Sequence, residues 1–207
     1  MAELQRALHE QARLSRGRLP CPSVVILDSQ SVKTTERGGA RGFDGHKRVK
    51  GRKRHLLVDT LGMVVARRVE AANVSDRRVG ARLLAGLQSG FPCIRTVMAD
   101  AGYESGKLAR ELKRRHGWRL HITKRRQRAF KVVDLTWIVE RTFARLSRNR
   151  RLSKDYELKV QTSEAFIDLA AIRTSISRGS VATRRTSLLR GCWIASSTLS
   201  TSGPPIS

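Results

Sequence analysis

Apolar positions along this chain fall into two rhythms, and their alternation predicts a sheet flanked by helices. Leu4, Ala7, Leu8 and Ala12 recur at helical spacing, which predicts a short amphipathic helix over residues 3–15. The Gly-Arg-Leu-Pro-Cys-Pro stretch at 17–22 breaks it. Val24 to Leu27 is a continuous apolar run, the pattern of a buried central strand, and it ends at Asp28. A polar loop with Gly38, Gly39, Gly42 and Gly45 then flows into the basic stretch His46 to His55. His55 to Asp59 predicts a second strand, Thr60-Leu61-Gly62 a turn, and Met63 to Val69 a third strand.

Ser75 or Asp76 is placed to cap a helix reaching about Gln88, with Val79, Leu83, Leu84 and Leu87 on its inner face. Ile94 to Ala99 predicts a fourth strand, ending at Asp100. Ser105 opens a helix that stops near Gly117, and Trp118 to Thr123 reads as a fifth strand. Two helices follow, from about Thr136 to Arg148 and from about Ser163 to Ser177. Three strands in a row, then alternating helices and strands, imply a mixed α/β sheet covered by helices. Beyond Gly179 carboxylates vanish and Ser and Thr become dense, so residues 179–207 are expected to form a disordered tail. The expected division is a short helical segment and linker at 1–20, a catalytic domain at 21–178 and that tail.

Charge sharpens this picture. Lys and Arg total 42 against 17 Asp and Glu, a formal net charge of +25 over 207 residues. Such an excess repels itself unless a polyanion neutralises it, and nucleic acid is the expected partner. No apolar run approaches the roughly 20 residues that cross a bilayer, so no membrane partner is expected. The first residues have mixed charge and lack the apolar core of a signal peptide, which predicts a cytoplasmic location. Cys21, Cys93 and Cys192 form no metal-binding pair and read as reduced thiols.

Two predicted strands end in Asp, within Ile-Leu-Asp-Ser-Gln-Ser and Val-Met-Ala-Asp-Ala-Gly-Tyr. If those strands are parallel neighbours, Asp28 and Asp100 stand about 5 Å apart at one edge of the sheet. Two carboxylates that close invite a shared cation such as Mg²⁺, and a third would complete a two-metal phosphodiester site. Glu140, on the helix that begins near Trp137, is the candidate. The plainer reading is that an Asp at a strand end caps a loop and a Glu in a first turn suits the helix dipole. Asp44 and Asp59 are rival carboxylates, although Asp59 sits where a turn would want an Asp anyway.

Two basic groups are candidates for gripping phosphates. The first is Lys47, Arg48, Lys50, Arg52, Lys53 and Arg54, expected to be partly mobile beside its glycines. The second is Arg141, Arg145, Arg148, Arg150 and Arg151 around Glu140. Lys124 to Arg128 is a weaker third group. Trp118 and Trp137 read as core aromatics, with base stacking the alternative for Trp137.

The stretches LDSQSVKTTERGGARGFDGHKRVKGRKRHLLVDTLG, AANVSDRRVGARLL, MADAGYES and WIVERTFARLSRNRRLSKDYE resemble bacterial insertion-sequence DDE transposases, from about Ser23 to Arg178. That resemblance implies a ribonuclease-H-like fold, a mixed five-stranded sheet flanked by helices. It implies Asp28, Asp100 and Glu140 as the catalytic, metal-binding triad, with two Mg²⁺ or Mn²⁺ ions. It also implies strand cleavage at element ends, strand transfer into target DNA, and a homo-oligomer working on double-stranded DNA in the nucleoid. The pattern departs from the family at Thr136, where an Arg is usual, and at Ser147, where a basic residue is usual. Only about 20 residues precede the core where the family carries a further helical domain, so truncation on that side is expected.

Overall fold

The computed structural model describes residues 2–36, 39–87, 90–123 and 135–194, with side chains described as far as 177. In chain order the elements are α1 (Ala2–Leu14), β1 (Val24–Lys33), β2 (Gly42–Asp44), β3 (Val49–Asp59), β4 (Val64–Ala71) and α2 (Asp76–Ala85). Then come β5 (Thr96–Asp100), a single 3-10 turn (Ala101–Tyr103), α3 (Gly106–His116), β6 (Arg119–Thr123), α4 (Thr136–Ser147), α5 (Arg150–Ser153) and α6 (Val160–Ile194).

The strand β1 is central because its apolar run can be buried on both faces, and Val25, Ile26 and Leu27 are sealed from solvent. It pairs antiparallel with β3 on one side and parallel with β5 on the other. The sheet continues through β6, parallel to β5, while β4 lies antiparallel on the far side of β3. The result is the mixed, helix-flanked sheet that the alternating pattern predicts. A sixth strand, β2, lies within the glycine-rich segment expected to be loop. It pairs with the first residues of β3, Gly42 opposite Gly51. Gly51 is needed there, since a Cβ would stand 2.0 Å from the carbonyl oxygen of Val32.

Successive strand residues face opposite sides. Ile26, Leu56, Val58, Val69 and Met98 pack under Ile138, Val139, Phe143 and Leu146 of α4 and Ile167, Ala170 and Ala171 of α6. On the other face Val25, Leu27, Leu57, Val97 and Ala99 pack with Leu83 and Leu84 of α2 and Leu108 and Leu112 of α3. Trp118 belongs to that second cluster, as expected of a core aromatic.

Three expectations need correction. The strand β1 does not stop at Asp28. It runs to Lys33, because past Ala99 it loses β5 but still pairs with β3, down to Lys33 opposite Gly51. The basic run is strand rather than mobile loop, since β3 begins at Val49. The last helix also crosses the expected boundary at 179 and continues to Ile194.

The first helix is packed onto the domain. Arg13 donates to the buried Asp59 carboxylate at 2.5 Å, and the His9 ring lies 3.3 Å from the same oxygen. Asp59 also accepts from the backbone N–H groups of Leu61 and Met63. Asp59 therefore orders its turn as expected, and in addition it anchors α1.

Candidate active site

Alternation along the strands decides where the carboxylates point. Asp28 shares its parity with Ile26, and Asp100 with Met98, so both face the side covered by α4. Leu27 is in register with Ala99, the last pair between β1 and β5, and Asp28 and Asp100 are the residues that follow it on each strand. Neighbouring strands lie about 5 Å apart. At this point β5 gives way to the 3-10 turn, where Asp100 is exposed, whereas Asp28 is only partly exposed. Glu140 lies one turn into α4, on its exposed side, while Ile138, Val139, Phe143 and Leu146 hold the helix to the sheet. Thr142 fixes the helix further by donating to the Gly62 carbonyl at 3.1 Å.

Electrostatics tie the three groups together. The Asp28 carboxyl is pushed up to about 6, chiefly by burial, and the negative charges of Asp100 and Glu140 push it further. The Ser29 N–H, donating at 2.7 Å, and the Lys47 ammonium oppose that rise. Asp100 accepts from the Gly102 N–H at 3.1 Å, which ties its carboxylate to the 3-10 turn. Among the described residues no group of three or more His, Cys, Asp or Glu side chains is gathered closely enough to hold a metal ion. The three carboxylates share one neighbourhood without forming a closed cluster, as mutual repulsion favours.

A polar network on the opposite face lies beneath Asp28, and its extent is not legible from the residue pattern. Of the two expected caps of α2, Ser75 holds the cap position, without a side-chain bond, and Asp76 turns toward Lys53 at 3.2 Å. Ser29 donates to the same Asp76 carboxylate at 3.3 Å. Lys53 also lies 3.6 Å from Asp44, which in turn accepts from Ser31 at 2.5 Å. The buried Tyr103 hydroxyl meets Nδ1 of His55 at 2.9 Å. Burial pushes the His55 imidazole down to about 4, so the ring is neutral at pH 7.

The first basic group divides by strand parity. Arg52 and Arg54 face the α5 side and are sealed from solvent, with 0 % and 1 % of their surface exposed. Arg52 pairs with Asp155 at 3.1 Å and donates to the carbonyls of Ala40, Glu157 and Leu158. Arg54 donates to the carbonyls of Leu152 and Lys154. Lys53 faces the other way, into the network around Asp76. These three side chains hold the fold together rather than reaching outward, contrary to the expected phosphate grip. Lys47, Arg48 and Lys50 are exposed.

Around α4 and α5, Arg141, Arg148, Arg150 and Arg151 are exposed and Arg145 is half-buried. Arg141 stacks 5.0 Å from the ring centre of Trp137, which is exposed rather than core. Arg151 is engaged within the chain, 2.8 Å from Glu157 and over the Phe166 ring. Lys124 to Arg128 lies outside the described residues. No described helix is long and apolar enough to cross a membrane.

Residues 19–174 match a family model described as Transposase DDE domain. Among solved structures, the catalytic core domain of BIV integrase is similar at 14 % identity and a TM-score of 0.46, over 72 % of this chain and 81 % of that one. The catalytic domain of the Mos1 mariner transposase is similar at 12 % identity and a TM-score of 0.44, over 89 % of this chain and 92 % of that one. The Mos1 strand transfer complex gives 11 % identity and a TM-score of 0.45, over 86 % and 60 %. No match is found among curated proteins.

Proposed function

Because this chain belongs to the Transposase DDE domain family, with the ribonuclease-H-like type of sheet, we propose that it cuts and rejoins DNA strands using divalent metal ions. Asp28, Asp100 and Glu140 are the proposed metal-binding and catalytic residues. The observation that supports this reading is that Asp28 and Asp100 directly follow the paired stretch of β1 and β5 on the face that α4, the helix of Glu140, covers. The negative charges of Asp100 and Glu140, which reach Asp28, favour a shared hard cation, and carboxylate oxygens are the donors that Mg²⁺ or Mn²⁺ prefers. The chemistry that two such ions supply is activation of the attacking oxygen and stabilisation of the leaving oxygen.

The chain's own residues do the rest. Water attacks the phosphorus at an element end, the P–O3′ bond breaks, and a 3′-hydroxyl and a 5′-phosphate result. That 3′-hydroxyl then attacks a target phosphodiester, forming a new P–O3′ bond as the target strand's own P–O3′ bond breaks and its 3′-hydroxyl leaves with the proton. The exposed Lys47, whose ammonium acts on Asp28, is placed to hold a phosphate close to the triad. Arg48 and Lys50 extend that surface, and Arg141, Arg148 and Arg150 flank Glu140 on the other side. The same proposal includes an origin in a bacterial insertion sequence, action in the cytoplasm on double-stranded DNA, and a homo-oligomer on that DNA.

A second reading is a DNA-binding chain without chemistry, favoured by the absence of a closed carboxylate cluster among the described residues. Incubation of the purified protein with supercoiled DNA separates the two. We expect nicks ending in 3′-hydroxyls with Mn²⁺ or Mg²⁺ and none with EDTA. Binding without any metal-dependent nick would establish the second reading instead.

A further inference from the structure

We propose that Arg16, in the turn after α1, joins Arg141, Arg145 and Arg148 of α4 in one anion site for phosphates of duplex DNA. The proposal rests on the DNA-binding part of the function above and adds the first helix to it.

The geometry starts from the turn Asp59–Met63 between β3 and β4, which lies between α1 and α4. On one side Arg13 and His9 fasten α1 to Asp59. Arg13 also donates to the Leu19 carbonyl at 2.7 Å, closing the chain around the turn that holds Arg16. On the other side Thr142 is bonded to Gly62, and Arg145 lines a small crevice with Gly62, Met63 and Thr142. Arg13 and Arg145 thus flank the same turn, and the charge of Arg16, three residues after Arg13, reaches Arg145 across it. Arg141, Arg145 and Arg148 form a single stripe along α4, spaced at about 5–6 Å per step.

Among the described residues none of these four guanidinium groups has a carboxylate partner. Asp59, the buried carboxylate at the turn, is already taken up by Arg13 and His9. Arg141 leans on the Trp137 ring instead. Arg145 is held below the usual arginine range, by burial first and then by the charges of Arg141, Arg148 and Arg16. Four crowded, uncompensated cations raise the energy of the free protein, and a polyanion relieves it. A row of phosphates along a duplex suits a row of arginines better than one small anion does.

The test is fluorescence anisotropy with a short labelled duplex over a KCl series in EDTA, so that binding is read without cleavage. Arg16→Ala should weaken binding several-fold and flatten the slope of log affinity against log salt by about one, as loss of one phosphate contact requires. Arg148→Ala should do the same. Arg145→Ala is less useful, since the stem of Arg145 packs beside Thr142 and Leu146. Arg6→Ala is the control, because Arg6 is exposed on the same helix but pairs with Glu10. An unchanged slope in Arg16→Ala, or an equal loss in Arg6→Ala, would overturn the anion site and leave the proposed function standing. Failure of the wild type to bind duplex at all would remove both. Competition by inorganic phosphate at millimolar concentration, as effective as by unlabelled duplex, would overturn duplex DNA as the ligand.

Discussion

Glu140→Gln should abolish metal-dependent nicking, by roughly a hundredfold or more, while duplex affinity stays constant or rises slightly. The reasoning separates what holds α4 from what Glu140 presents. Ile138, Val139, Phe143 and Leu146 are buried and dock the helix, whereas Glu140 is exposed. Gln keeps the length and shape of the side chain. The lost negative charge removes a hard oxygen donor from the site and one repulsion from approaching phosphates. Nicked-circle yield and anisotropy, measured on the same preparations, read the two effects separately. Equal nicking by wild type and Glu140→Gln would place the nuclease elsewhere.

Arg52→Met should destabilise the fold by about 3–5 kcal/mol, the usual result of leaving a buried charge without its partner. Asp155 is 1 % exposed, and without Arg52 it would keep, among the described residues, the Ser163 hydroxyl and the Glu157 N–H as side-chain partners. Three backbone carbonyls, of Ala40, Glu157 and Leu158, would lose their donor as well. Lys50→Ala, two residues earlier in the same basic run, should change stability by less than about 0.5 kcal/mol, because Lys50 is exposed. Its effect should fall on DNA affinity instead. Urea unfolding of both variants beside the salt series would show the contrast. A stable Arg52→Met with weakened DNA binding would return Arg52 to the phosphate surface.

The same pair of residues shows why some of this chain is legible in sequence and some is not. Apolar runs and caps report directly: Val24 to Leu27 marked the central strand, and Ser105 accepts from Leu108 N–H at the start of α3 as expected. Asp28 and Asp100 were found because each follows such a run. A run of Lys and Arg carries no comparable signal, since its burial depends on partners about a hundred residues away. Arg52 and Arg54 are inside only because residues 152–158 return to cover them, and nothing local announces it. Asp76 is a similar case, paired across the sheet with Lys53. Trp137 errs the other way: an aromatic at a helix start reads as core, yet it lies exposed under Arg141.

The central claim is that Asp28, Asp100 and Glu140 form one metal site, and thermal melting across a Mn²⁺ titration tests it most directly. Asp28 has its carboxyl raised to about 6 from an ordinary 3.8. A raised carboxyl contributes stability only below about pH 4, and that contribution is lost as pH rises through 6. At pH 7 its charge therefore costs the metal-free fold at most about 3 kcal/mol. In EDTA at pH 7, Asp28→Asn should melt above the wild type, and the gap should close below pH 4. Mn²⁺ at a hundred times its dissociation constant should then raise the wild type by about 2.7 kcal/mol in stability. Asp28→Asn, Asp100→Asn and Glu140→Gln should each lose most of that response. A Mn²⁺ response as large in all three variants as in the wild type would contradict the account.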